Sequence, residues 1–156
     1  MNKTRRQTLR TAGGIGLYGA LVAIGMLRAG EAAAQQFNAA AFQAKTVADT
    51  LKALGVVSPA DSKDIVINSP DIAENGAVVP VGVKSNLPKT EFIALLVEKN
   101  PNALAGAYAI LEGAEPDVNM RIKMGQSSDV MAVVKADGKF YMTKKEIKVT
   151  LGGCGG

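Results

Sequence analysis

From residue 65 to the end of the chain, apolar and polar side chains alternate one for one in short runs separated by turn residues. Successive side chains of a β-strand point to opposite faces, so this two-residue period describes strands with one buried face and fits no helix. Val118, Met120, Ile122 and Met124 against Asn119, Arg121, Lys123 and Gly125 form the clearest such run. Ile65 and Ile67 alternate with Val66 and Asn68, and Val79, Val81 and Val83 with Pro80, Gly82 and Lys84. Proline cannot donate to a ladder, so Pro80 places that strand at an edge or a bulge. The runs at Phe92–Val97 and Val130–Val134 are continuously apolar, the first short enough for a buried strand, and a further strand is expected over Ala107–Leu111. For 92–97 a helical segment fits the composition as well. Ile147, Val149 and Leu151 form the last alternating run.

Between these runs lie Ser69-Pro70-Asp71, Asn86-Leu87-Pro88-Lys89 and Pro116-Asp117, all turn-forming compositions. Asn75-Gly76, after Glu74, and Asp137-Gly138, leading into Phe140 and Tyr141, carry the dipeptides of tight hairpins. Seven or eight short strands at such spacing predict an all-β, immunoglobulin-like antiparallel β-sandwich. Ahead of it, Ala44, Val47, Ala48, Leu51 and Leu54 recur at helical spacing. They predict one short amphipathic N-terminal helix over 42–54, ended by Gly55.

The first 34 residues have a different character. Arg5 and Arg6 stand in Thr4-Arg-Arg-Gln-Thr8-Leu9, an apolar run broken by glycines follows from Ala12 to Leu27, and Ala32-Ala33-Ala34 offers a small-residue cleavage site. This resembles a twin-arginine export signal, with Thr8 where phenylalanine is common. The expected division is a signal peptide over 1–34, a body over 35–151 and an arm over 152–156, with a periplasmic mature protein. The sixteen-residue apolar run is shorter than the roughly 20 residues of a spanning helix. The leader also holds five of the 18 lysines and arginines but one of the 14 acids. The formal charge of +4 therefore belongs to the leader, and a body with 13 of each sign gives no basis for nucleic-acid binding.

No histidine and a single cysteine exclude Ser-His-Asp, Cys-His and His-rich zinc sites built from this chain alone. No cofactor motif is present, and no cofactor or metal is expected. Asp61 with Asp64, and Asp71 with Glu74, read as solvated loop acids. Met120, Met124, Met131 and Met142 read as core or interface filling. Arg121, the body's only arginine, reads as an exposed strand residue able to meet an anion.

The single cysteine ends the chain in Gly152-Gly153-Cys154-Gly155-Gly156. Glycine has the widest backbone freedom, so a flexible arm is expected. Extended, it would reach about 17 Å. No neighbouring base or charge lowers the thiol pKa from its ordinary value of about 8.5. The thiol is thus presented without being activated. In an oxidising compartment an idle exposed thiol is exchanged or oxidised, which argues against an incidental tail or a merely dimerising cysteine.

The ending Val149-Thr150-Leu151-Gly152-Gly153-Cys154-Gly155-Gly156 resembles the carrier arm of the SoxY family, the sulfur-carrier subunits of bacterial thiosulfate oxidation. Ser69–Gly76, Glu98-Lys99-Asn100-Pro101 and Arg121-Ile122-Lys123-Met124 are similar to the same family. The resemblance implies a non-catalytic carrier whose Cys154 holds the substrate as a protein-bound thiosulfonate. It also implies a heterodimer with SoxZ, transient partners SoxAX, SoxB and SoxCD, and an immunoglobulin-like fold with an N-terminal helix. Two other readings are a carrier using the Gly156 carboxylate as a thiocarboxylate, and a binding module with an idle tail. The first requires ATP-dependent adenylation and leaves the cysteine without a purpose.

Overall fold

The computed structural model describes residues 38–150. Its seven longer strands are β2 (Ile65–Asn68), β4 (Val79–Ser85), β5 (Thr90–Val97), β6 (Leu104–Ala109), β7 (Asp117–Ile122), β8 (Ser128–Ala136) and β9 (Lys139–Val149). Two-residue strands β1 (Ala60–Asp61) and β3 (Ile72–Ala73) complete the set. The smaller sheet runs β2-β4-β7, and the larger runs β1-β9-β8-β5-β6 with β3 also on β9. Counting only the long strands, the first, second and fifth face the third, fourth, sixth and seventh. That is an immunoglobulin-like sandwich with its fourth strand in the second sheet. All long pairings are antiparallel, whereas β1 and β3 join the free edge of β9 in parallel.

The alternation read from the sequence is the packing. Val79, Val81 and Val83 of β4 and Ile122 of β7 face Ile93, Leu95 and Val97 of β5 across the core. β5 has no polar face because both its sides are covered: Ala94 and Leu96 point the other way, into a second core under the helices. β8 divides likewise, with Val130, Ala132 and Val134 inward and Val133 outward.

The expected single helix is two, α1 (Ala39–Gln43) and α2 (Val47–Ala53). Thr46 causes the break. Its hydroxyl accepts from the Asp49 amide at 3.1 Å and donates to the Asp49 carboxylate at 2.7 Å, so it caps a new helix instead of continuing the old one. Ala44 is extended there, and residues 102 and 103 take the freed carbonyls: Asn102 Nδ2 donates to Phe42 O and the Ala103 amide to Ala44 O. α2 ends as expected, with Gly55 at φ +71° and amides 55 and 56 returning to the carbonyls of Lys52 and Leu51. Among the described residues no helix is long and apolar enough to cross a membrane.

Other expectations shift. The Asn75-Gly76 pair does not turn a hairpin, because β3 before it pairs with β9 and not with β4. Asn75 instead accepts the Ala77 amide on its own side chain, an Asx turn. β4 is the middle strand of its sheet, yet β2 reaches only to Gly82, so Pro80 has a single neighbour, β7. β6 begins at Leu104, three residues earlier than its apolar run suggested. Phe140-Tyr141 and Ile147-Val149, expected as separate strands, belong to one eleven-residue strand, β9.

Candidate functional site

Cys154 and its glycines 152, 153, 155 and 156 lie outside the described residues, as do Arg5 and Arg6. What the structure describes is the seat from which the terminal segment departs. β9 carries the chain to Val149, and its last residues are held from three directions. β3 lies along one side: the Lys148 amide donates to Asp71 O at 2.9 Å and the Thr150 amide to Ala73 O at 3.1 Å. From the β7–β8 connection, Ser127 Oγ accepts the Val149 amide at 2.9 Å. From the loop after β3, Gly76 approaches so closely that a Cβ would collide with the Met124 carbonyl oxygen and lie 2.8 Å from Val149 Cγ1. Only glycine fits there.

The hydrogen bonds continue outward. The Met124 amide donates to Gly76 O at 2.7 Å, and Asn100 Nδ2 donates to Lys123 O at 2.7 Å. The Lys99 amide donates to Ser128 Oγ and the Glu98 amide to Asp129 O. Lys145 ties the start of the β3 loop down, with Nζ 2.9 Å from Asp71 Oδ1 and 2.7 Å from Ser69 O. Thus 69–76 and the connection that follows Ile122 form a collar at the end of β9, and 98–101, distant from both in sequence, braces that connection from behind. Their arrangement gives a fixed base, in which the amides of Lys148, Val149 and Thr150 are all bonded.

The remaining candidates separate. Asp71 is engaged by Lys145 and does not meet Glu74 in a shared site. Among the described residues no three acids or other metal-binding side chains cluster. Met124 is buried in the sandwich core with Met120 packed against it, while Met131 and Met142 pack in the other core beneath the helices. The large sheet divides the two pairs, as core filling requires. Arg121 is exposed on β7 and makes no ion pair among the described residues. On β9, Lys144 is held above its ordinary pKa by a 3.1 Å hydrogen bond and the adjoining charge of Asp129, an ion pair that pins β9 to β8. Sequence reasoning missed Gly76, Asn100 and Ser127 as supports. Their signal was present for the first two, which stand in the stretches already noted for family resemblance.

The model of the family described as "Sulfur oxidation protein SoxY" matches residues 51–154, a span that includes the collar and Cys154. The chain belongs to the SoxY family. A solved structure of the sulfur carrier protein SoxY from Chlorobium limicola f thiosulfatophilum is 34% identical, with a TM-score of 0.63 over 70% of this chain and 96% of that one. Its β-sandwich is the fold found here. Two other solved structures are more distant. One is an engineered protein, 14% identical at TM-score 0.41 over 56% of this chain and 20% of that one. The other is a chain from a study of T cell activation by toxic shock syndrome toxin-1, 10% identical at TM-score 0.40 over 55% and 99%. No curated protein matches. Within the SoxY frame the end of β9 that the collar holds is the part of the body nearest in sequence to the cysteine, since Thr150 precedes Cys154 by four residues.

Proposed function

We propose that this SoxY protein is a covalent carrier of sulfur intermediates in sulfur oxidation, with Cys154 as the attachment point. The observation that carries the reading is the collar. It fixes the chain through Thr150, and four residues of extended chain beyond that point span about 14 Å. A firm base and a slender glycine-flanked tip suit a thiol that is presented to other proteins' active sites.

The chemistry divides between carrier and enzymes. Oxidative joining of the Cys154 thiolate to the sulfane sulfur of thiosulfate forms an S–S bond, gives the S-thiosulfonate and releases two electrons, accepted by the c-type haem enzyme SoxAX. Hydrolysis by the manganese enzyme SoxB then adds water across the sulfur–sulfonate bond. Sulfate and a proton leave, and a persulfide stays on the cysteine. Where a sulfane dehydrogenase, SoxCD, is present, it oxidises that sulfane sulfur to a sulfonate with oxygen from water and takes up the electrons, before a second hydrolysis frees the thiol. The chain itself contributes a nucleophile with no resident base, which stays inert until an enzyme activates it. In this reading it is not an enzyme.

Residues 1–34 serve as a twin-arginine signal, residues 35–151 as the body and 152–156 as the arm, and the mature protein works in the periplasm. Folded export of a chain without a cofactor motif fits co-export with a bound partner subunit, SoxZ.

The test is the intact mass of the protein purified from the periplasm of thiosulfate-grown cells. A sulfur adduct that reductant removes and that Cys154→Ser abolishes is expected. An adduct surviving that substitution moves the chemistry to the Gly156 carboxylate, and absence of any adduct overturns the carrier reading. Co-purification with SoxZ from the same cells checks the heterodimer; a persistently lone subunit counts against it.

A further inference from the structure

Asn75-Gly76 has the composition of a hairpin turn and does not make one, and the collar uses its glycine for a close approach. The asparagine brings a chemistry of its own. When glycine follows asparagine, the glycine amide nitrogen can attack the side-chain Cγ. The Cγ–Nδ2 bond breaks, and ammonia leaves with the proton that the amide gives up. Water then opens the five-membered imide at either carbonyl. One opening gives aspartate; the other gives isoaspartate, with the main chain rerouted through the former side chain. Nothing is oxidised or reduced. The reaction needs a following residue with no Cβ to obstruct the ring, an amide nitrogen not bonded elsewhere, and freedom of the backbone to rotate.

Asn75 satisfies the first two needs, and it is the one asparagine of the chain that precedes glycine. Asn100 precedes Pro101, which has no amide proton. The amides that follow Asn86 and Asn102 are committed, that of Leu87 to Ser85 Oγ and that of Ala103 to Ala44 O. The Gly76 amide, by contrast, has no hydrogen-bond partner among the described residues, and neither has Asn75 Nδ2, the leaving group. Asn75 is exposed, so water and hydroxide reach it. Its Oδ1 accepts the Ala77 amide at 2.9 Å, which polarises the carbonyl under attack.

The third need is withheld by the collar. To close the ring, the Gly76 nitrogen must swing toward Cγ and carry the glycine with it. Gly76 lies so close to the Met124 carbonyl and Val149 that even a Cβ has no room, and its own carbonyl holds the Met124 amide at 2.7 Å. The Val78 amide, 3.3 Å from Asn75 O, ties the turn from the other side. Ring closure and a closed collar therefore exclude each other.

We propose that Asn75-Gly76 is a self-modification site gated by the collar. It stays intact while the end of β9 is held, and it converts when the collar opens. The isoaspartate product carries an extra carbon in the main chain ahead of Gly76 and a new carboxylate beside Glu74. Gly76 is thereby displaced from the place that only glycine fits, and its contacts with Met124 and Val149 are lost together. A transient opening at the base of the terminal segment becomes permanent. The proposal depends on no reading of Cys154.

The experiment incubates the mature chain at mildly alkaline pH and follows the mass gain of amide-to-acid conversion. Peptide mapping locates it, and an isoaspartyl methyltransferase scores the isoaspartate. Three samples are compared: folded wild type, Ser127→Ala, which removes the acceptor of the Val149 amide, and wild type in urea. Conversion at Asn75 should be slowest in the first and fastest in urea. In Ser127→Ala it should run about fivefold faster than in folded wild type, the change in a local opening equilibrium that one lost hydrogen bond produces. Asn75→Gln, whose longer side chain cannot form the five-membered ring, should remove the gain at this position, in urea as well. In the isolated isoaspartate form, hydrogen exchange at Val149 and Thr150 should rise. Asn75→Asp keeps the backbone length and an acceptor for the Ala77 amide, and should leave that exchange unchanged.

Equal rates in folded wild type and in urea, or in wild type and Ser127→Ala, overturn the gate. No conversion at Asn75 even in urea overturns the site. Unchanged exchange at Val149 and Thr150 in the isoaspartate form overturns its effect on the collar.

Discussion

The two ends of β9 are held by opposite means. At its start, Asp137 and Gly138 take φ values of +48° and +73° and turn the chain directly from Ala136 to its partner Lys139. That is the two-residue turn an Asp-Gly pair favours, and its backbone conformation is set by those two residues. Two residues of the β4–β5 corner brace it: Glu91 is 2.9 Å from Lys135 and accepts the Gly138 amide at 3.1 Å, and Lys89 accepts the Asp137 amide at 3.2 Å and pairs with its carboxylate at 3.1 Å. At its finish, β9 is fixed by residues 71, 73, 76 and 127, between 22 and 77 positions away. A local turn sets register; a non-local collar sets where the chain is released. In the carrier reading it is the second that serves function.

The strongest challenge to this contrast is Gly76→Val. Its side chain would be forced against the Met124 carbonyl and Val149, and overpacking of that kind costs about 3 kcal/mol. Denaturant unfolding measures the loss. Hydrogen exchange should show the amides of Val149 and Thr150 opening while those of the hairpin keep their protection. Equal loosening at both ends would erase the distinction between them.

Gly138→Ala probes the other end. A side chain in the left-handed region costs about 1–2 kcal/mol, and here faster exchange is expected near Lys139 with Thr150 unchanged. Ser127→Ala removes the acceptor of the Val149 amide, for about 1 kcal/mol. The unfolding midpoint gives the size, and a local rise in Val149 exchange gives the place.

The smallest effect is at Glu91. The hydrogen bond from Lys135, then that from the Gly138 amide, hold its carboxyl below its ordinary pKa. A carboxylate lowered in the folded state contributes stability above its unfolded pKa, and that contribution is lost as pH falls through the folded value. Glu91→Gln should therefore be slightly less stable than wild type at neutral pH. The gap should close once the pH drops below about 4, near the ordinary carboxylate range. Paired urea titrations at both pH values read it, and a gap that persists in acid would assign the effect to packing.

How far each feature was legible follows the same division. The Asp137-Gly138 hairpin and the Gly55 helix end were readable because residues adjacent in sequence make their hydrogen bonds. The apolar runs at 92–97 and 130–134 were readable as buried segments, with strand and helix both open for the first, and that each is covered on both faces came only from the structure. Asn75-Gly76 misled because the same dipeptide serves a close approach to β7's end and β9 instead of a hairpin. The break at Thr46 was hidden because apolar spacing continues across it while the hydroxyl caps a new start. β1 and β3 are too short for any period, and exist only because β9 offers an open edge.

The sequence by itself determined a sandwich of alternating strands, its local turns, and a lone thiol at the end of the chain, since period, turn chemistry and composition are carried by neighbouring residues. The tertiary structure alone decided that β9 runs unbroken and that residues 71, 73, 76 and 127, remote in sequence, close on its end. Those features depend on which strands lie side by side, and strand pairing is a choice between distant partners that local pattern does not encode.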